Sequence, residues 1–145
     1  MNQNAPIRPQ LLTLLCILTF IGSGMLSFVN IIMFGLYDSF LQAYQQGAFE
    51  AFVLNKEQEE VINLLFAVTP TYYLSQGIIY GISLVGAILM WNFKKLGFHL
   101  YAIAQIIVLI LQQIYLPSLP FPTMELLVTT LFIVLYARHL KFMYS

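Results

Sequence analysis

Seven polar side chains interrupt the apolar runs of this chain where they could do chemistry: Asn30, Tyr73, Gln76, Tyr80, Gln105, Gln112 and Glu125. Most are amides and phenols, which donate and accept hydrogen bonds without carrying charge. Such a set can line a small pocket for a solute, or it can form a hydrogen-bonded layer that fixes helix register. The structural role is the favoured one, because hydrogen bonds between membrane helices in peptide systems stabilise by roughly 1 kcal/mol each. Glu125 is the only carboxylate attached to an apolar run. It can relay a proton, or it can sit in the first turn of a helix, where the dipole favours a negative charge. The dipole role takes precedence.

No catalytic, cofactor-binding or metal-binding arrangement is recognisable. His99 and His139 lie near the ends of apolar runs with no carboxylate close in sequence. Neither has a partner at metal-ligand spacing, so both read as interfacial residues. Cys16 is the single cysteine. It excludes an internal disulfide, supplies no metal cluster and packs as a small residue. There is no Gly-rich phosphate loop, P-loop lysine or nucleophile elbow. No enzyme activity and no cofactor are expected.

The composition decides what must position these groups. Of 145 residues, 60% are hydrophobic and 8% charged, whereas a soluble domain carries about 25% charged residues. Too few charges remain to cover a water-facing surface. The expected class is an integral membrane protein forming one membrane domain over residues 1–145, with the lipid bilayer around it. Formal net charge is zero and no basic tract is present, so nucleic acid is not an expected partner.

Four segments reach the about 20 residues that a helix needs to cross a hydrocarbon core. They cover about 11–36, 72–91, 97–115 and 124–140. The expected fold is an all-α membrane protein: four transmembrane helices in an antiparallel bundle, with an amphipathic surface helix between the first and second. Spanning strands would instead alternate with period two. Pro9 precedes the first span, and Thr69 and Pro70 read as N-cap and first helical position of the second. "FKKLG" separates the second span from the third, and the three prolines of "LPSLPFP" separate the third from the fourth.

Basic residues set the orientation. Arg8, Lys94, Lys95, Arg138 and Lys141 flank the spans on one side, while the first loop holds Asp38, Glu50, Glu57, Glu59 and Glu60 against Lys56 alone. The positive-inside rule then puts both termini and the second loop in the cytoplasm. A cleaved signal peptide is the competing reading of the N-terminus, but the apolar run continues well past Gly24 with no polar start behind it. Within the outer segment, about 38–66, apolar residues recur at helical spacing from Asp38 to Leu54. This predicts a surface helix, packed as a lid in preference to a separate binding motif. Residues 57–69 either extend the second helix or form another short surface helix.

Each span has a polar edge. In the first, Thr13, Cys16, Thr19, Ser23, Ser27 and Asn30 fall within an arc of about 120°. In the second, Tyr73, Gln76, Tyr80 and Ser83 share a face beside the GxxxG pair Gly77 and Gly81. This pair marks a helix contact, within the molecule in preference to a dimer. Tyr101, Gln105 and Gln112 form the third edge, and Glu125, Thr129 and Thr130 the fourth. Lipid tails give helices no hydrophobic reason to associate, so these edges should meet. Ser23, Tyr80, Gln105 and Thr130 fall near mid-span. Asn30, Tyr73, Gln76, Gln112 and Glu125 fall in the outer half, where packing in sequence order would bring them together.

Three stretches resemble uncharacterised small four-span integral membrane proteins common in Bacteroidota: "RPQLLTLLCILTFIGSG" at 8–24, "MWNFKKLGFHLYAIAQII" at 90–107 and "LFIVLYARHLKFM" at 131–143. The resemblance implies a bacterial inner (cytoplasmic) membrane and brings no activity or site residues with it. The functional expectation is a non-enzymatic membrane protein with an accessory or structural role, within a complex or as a homo-oligomer. The alternative is a small-solute or ion transporter with an outward-facing polar pocket.

Overall fold

The computed structural model describes residues 7–144. Six α-helices follow in order: α1 Gln10–Gly35, α2 Tyr37–Gln45, α3 Lys56–Ala67, α4 Pro70–Trp91, α5 Lys95–Tyr115 and α6 Thr123–Arg138. Among the described residues there is no strand beyond one isolated bridge, Lys94 to Tyr144. α1, α4, α5 and the stretch Thr123–Phe142 are long and apolar enough to cross a membrane. Their packing is compatible with a helix bundle.

α4 is the central helix, with α1 along one side and α5 along the other. Small residues let the backbones approach. A Cβ placed on Gly77 would fall 2.8 Å from Ile31 Cγ1 and 3.4 Å from Ser27 O. The Gly77 and Gly81 pair therefore seats α4 on α1. On the other side, a Cβ on Gly86 would fall 2.8 Å from Gly97 O and 2.9 Å from Tyr101 N. Contacts along each pair run in opposite senses. Arg8 meets Trp91, Ser23 meets Ser83, and Ser27 meets Gly77. Ser83 meets Gln105, and Tyr72 meets Tyr115.

Arg8, Tyr144 and the α4–α5 turn gather at one end of the bundle. α4 closes with paired bonds from Lys94 N to Leu89 O and from Phe93 N to Met90 O, which satisfy its last carbonyls. This closure puts Phe93 at φ 59°, a position that usually belongs to glycine. The Arg8 guanidinium sits 3.9 Å from the Trp91 ring centroid and 5.1 Å from that of Phe93. It also donates to Trp91 O at 2.7 Å, placing a cation at the negative end of α4. The C-terminal tail joins there, with Tyr144 N donating to Phe93 O at 2.7 Å and Lys95 N to Tyr144 O at 3.1 Å. Beneath this end lies the main core, built on Leu12, Leu15, Cys16, Ala87, Met90, Tyr101 and Tyr136.

At the opposite end, α2 and α3 form a head. The amphipathic helix expected over 38–54 is shorter: it stops at Gln45, and Gly47 at φ 76° turns the chain. The reason is local. Only glycine takes that left-handed conformation without strain, and beyond it the apolar spacing continues only through turns and a short 3-10 helix, Glu50–Phe52. α3 begins with a reciprocal cap, Asn55 Oδ1 accepting from Gln58 N at 2.9 Å and Gln58 Oε1 from Leu54 N at 2.7 Å. Residues 57–67 thus belong to a helix of their own, and Val68 and Thr69 break it from α4. Pro70 opens α4 as expected, whereas Thr69 occupies the cap position without a side-chain cap bond. Tyr37, Val68 and Tyr73 form a second small core that fastens the head to the spans.

A polar cavity between the spans

The side chains that cross between helices meet at mid-span. Ser83 Oγ of α4, fully buried, lies 3.0 Å from Ser23 Oγ of α1 and accepts from Gln105 Nε2 of α5 at 3.0 Å. One hydroxyl thus joins three helices. One level nearer the chain ends, Thr19 Oγ1 lies 2.7 Å from Tyr136 OH, which ties α1 to α6. The Tyr136 ring meets Tyr101 edge-on, with centroids 5.1 Å apart.

Beside this network is a cavity of about 210 Å³. Its polar wall is made by Ser23, Tyr80, Tyr101, Gln105, Glu125 and Thr129. Its apolar wall includes Leu18 and Leu26 of α1 and Val128 and Phe132 of α6. Leu18, Leu26 and Val128 are also exposed on the outer surface, at 46%, 43% and 52%. The cavity therefore opens sideways, between α1 and α6, towards the space that lipid would occupy. Glu125 is half-buried in the first turn of α6, and among the described residues no Lys, Arg or His lines the cavity.

The seven polar residues singled out in the sequence are divided by the fold. Tyr80, Gln105 and Glu125 share the cavity. The other four lie elsewhere. Asn30 Nδ2 donates to Leu26 O on its own helix at 2.8 Å. Tyr73 OH donates to Leu65 O of α3. Gln76 Nε2 donates to Tyr72 OH at 3.2 Å, and the buried Gln76 Oε1 has no partner among the described residues. Gln112 lies two turns along α5 from Gln105, outside the cavity lining.

The expected gathering of Asn30, Tyr73, Gln76, Gln112 and Glu125 is split: Asn30 and Tyr73 line a second cavity of about 440 Å³ with Tyr72, the partner of Gln76, while Glu125 lines the first and Gln112 neither. The head explains part of this. The carbonyls at the end of α3 draw the phenols of that level, Tyr37 OH donating to Val68 O at 2.9 Å and Tyr73 OH to Leu65 O. On α6, Thr129 is buried and Thr130 faces out, so the inward edge is narrower than expected. Among the residues marked as packing positions, Ser27 Oγ donates to Gly77 O at 2.8 Å, and a Cβ on Gly81 would stand 3.5 Å from Ser27 Oγ.

Two features escape a reading by composition and periodicity. Arg8, counted there as an orienting charge, is a cap on α4 held between aromatic rings. Ser83 is one member of a polar face by periodicity and the hub of the network in space. A larger pocket, about 500 Å³, lies in the head and includes Tyr44, Phe49, Glu50 and Glu59. Both carboxylates there are solvent-exposed, so the surroundings do little to strengthen contacts with a ligand.

Fold and cavity together define the class: an all-helical protein with four helices able to cross a membrane and a small polar cavity among them. No family model, curated protein or solved structure matches the chain.

Proposed function

We propose that this is a non-enzymatic integral membrane protein with an accessory or structural role in a membrane assembly. The carrying observation is the seating of α6. Within the most apolar window of each span, 11% is buried for the fourth, against 28%, 33% and 28% for the first three. Met124, Leu127, Leu131 and Val134 of α6 are all more than half exposed. A helix with so little contact to its own bundle suits a second surface, supplied by a partner protein or by another copy of this chain. The proposed setting is a bacterial inner membrane, in keeping with the resemblance to the Bacteroidota proteins. Arg8, Lys94 and Lys95 cluster at one end of the bundle, which supports a cytoplasmic assignment for that end. The α2–α3 head then lies on the outer face as an amphipathic surface element.

Affinity purification of the tagged protein in mild detergent tests this role. A stoichiometric partner or a defined homo-oligomer is expected. Recovery of monomer alone, from membranes in which the protein is intact, contradicts it.

The cavity favours a second reading, transport of a small solute or ion. An intramembrane carboxylate facing a cavity marks a pathway more often than a packing contact. Under this reading, flux into proteoliposomes falls in Gln105→Leu and Glu125→Gln while helix content is unchanged. An absence of flux across a broad solute panel counts against it.

A further inference from the structure

We propose that the cavity between α1 and α6 binds a small hydrophobic monocation, an organic ammonium held by Glu125 and by the rings of Tyr80, Tyr101 and Phe132. This names a ligand class for the cavity of the second reading above, and it stands whether or not the bound molecule crosses the membrane.

Three features of the site converge on that class. The first is charge. Among the described residues, Glu125 is the one carboxylate lining the cavity, and no Lys, Arg or His lines it. A carboxylate at membrane depth is costly unless it pairs with a cation or holds a proton. A bound cation would match the charge of this carboxylate in the first turn of α6. An anion would be repelled, and a neutral solute would leave the charge unmatched.

The second is the aromatic lining. Tyr80 of α4, Tyr101 of α5 and Phe132 of α6 bring three rings to one small space. The negative faces of aromatic rings attract ammonium groups, most of all alkylated ones that shed water easily. Gln105 and Thr129 add polar atoms to the same wall, although Gln105 Nε2 already donates to Ser83.

The third is access and size. The leucines and the valine at the α1–α6 mouth face the lipid side as well as the cavity, so the ligand enters from the bilayer and must be apolar enough to partition there. A volume of about 210 Å³ lies below the roughly 300–1,000 Å³ of sites for drug-sized molecules, which restricts the occupant to a compact cation.

Equilibrium binding of radiolabelled benzyltrimethylammonium to the purified full-length protein in detergent micelles tests the site. The competitor is neopentylbenzene, which has the same shape and no charge. Saturable binding is expected, displaced by unlabelled cation and unaffected by the neutral competitor. Glu125→Gln should weaken it by about tenfold or more, the scale of a lost desolvated charge contact. Gln112→Leu, outside the cavity, should change it less than about twofold on the same grounds. The proposal is overturned if the folded wild-type protein shows no saturable binding, or if neopentylbenzene displaces the cation as well as unlabelled cation does. It is also overturned if a folded Glu125→Gln protein binds as the wild type does. The competition arm uses wild-type protein alone, so it decides the matter even if that variant does not fold. Saturable binding without flux keeps the site and removes the transport reading; flux of another solute without cation binding does the reverse.

Discussion

Ser83 Oγ sits between Ser23 Oγ and Gln105 Nε2, 3.0 Å from each, with no exposure to the surroundings. We predict that Ser83→Ala, which removes only the hydroxyl, lowers stability by about 1–2 kcal/mol, two interhelical bonds at the values measured for membrane helices. Unfolding in mixed micelles would show it, and an unchanged midpoint would remove the network from the account. Gln76 should behave oppositely. Its buried Oε1 has no partner among the described residues, and a buried acceptor without a donor costs about 1–3 kcal/mol. Gln76→Leu is therefore predicted to match or exceed wild-type stability in the same assay; a marked loss would mean that this amide has a role beyond its bond to Tyr72. At this scale the polar positions were legible and their partners were not. Periodicity puts Ser83 and Gln76 on one face of α4 without saying that one finds two partners and the other half of one. That difference arises from the rotation of α4 against α1 and α5, which no single helix carries in its own sequence.

The contact between α4 and α5 depends on glycine at two places. A Cβ on Gly97 would fall 2.6 Å from Met90 N and 2.8 Å from Leu89 Cβ, and would press on Gly86 O. Backbone atoms cannot move aside as a flexible side chain can. Gly97→Ala is therefore predicted to separate the helices locally and lower the yield of folded protein strongly. Gly24→Ala, whose new atom would stand 3.9 Å from Leu84 Cδ2, should be tolerated. Monodisperse recovery by size-exclusion chromatography compares the two, and equal recovery would mean that the α4–α5 contact is looser than described. The spans were readable because apolar length is a strong signal, and Pro70 marks the start of α4 because proline suits a first helical turn. The head was read less well. Tyr44, Ala48 and Phe52 continue a helical spacing through Gly47, yet the chain turns there, and the real start of the next helix is written in the reciprocal pattern of Asn55 and Gln58.

Across the whole molecule, apolar side chains face outward along the spans and polar ones meet within. Ile21, Met25 and Phe28 of α1 are each more than 60% exposed, while Thr19 and Ser23 on the same helix are each 5% exposed. Such an inversion costs little in lipid and would be untenable in water. The charges follow the same plan. Arg8, Lys94 and Lys95 lie at one end, and Glu57, Glu59 and Glu60 lie in α3 at the far end. That polarity was legible from loop charges alone, because the rule depends on counting basic residues rather than on packing. The clustering of cavity residues was not legible, because it depends on how loosely α6 is seated. Labelling with a membrane-impermeant maleimide tests the arrangement most directly. The experiment uses single-cysteine proteins carrying Cys16→Ala with either Glu57→Cys or Lys94→Cys, in intact and in permeabilised spheroplasts. The account predicts that Glu57→Cys reacts in intact spheroplasts and Lys94→Cys only after permeabilisation. Reaction of both from the same side would contradict a bundle whose head and α4–α5 turn lie across a membrane from one another.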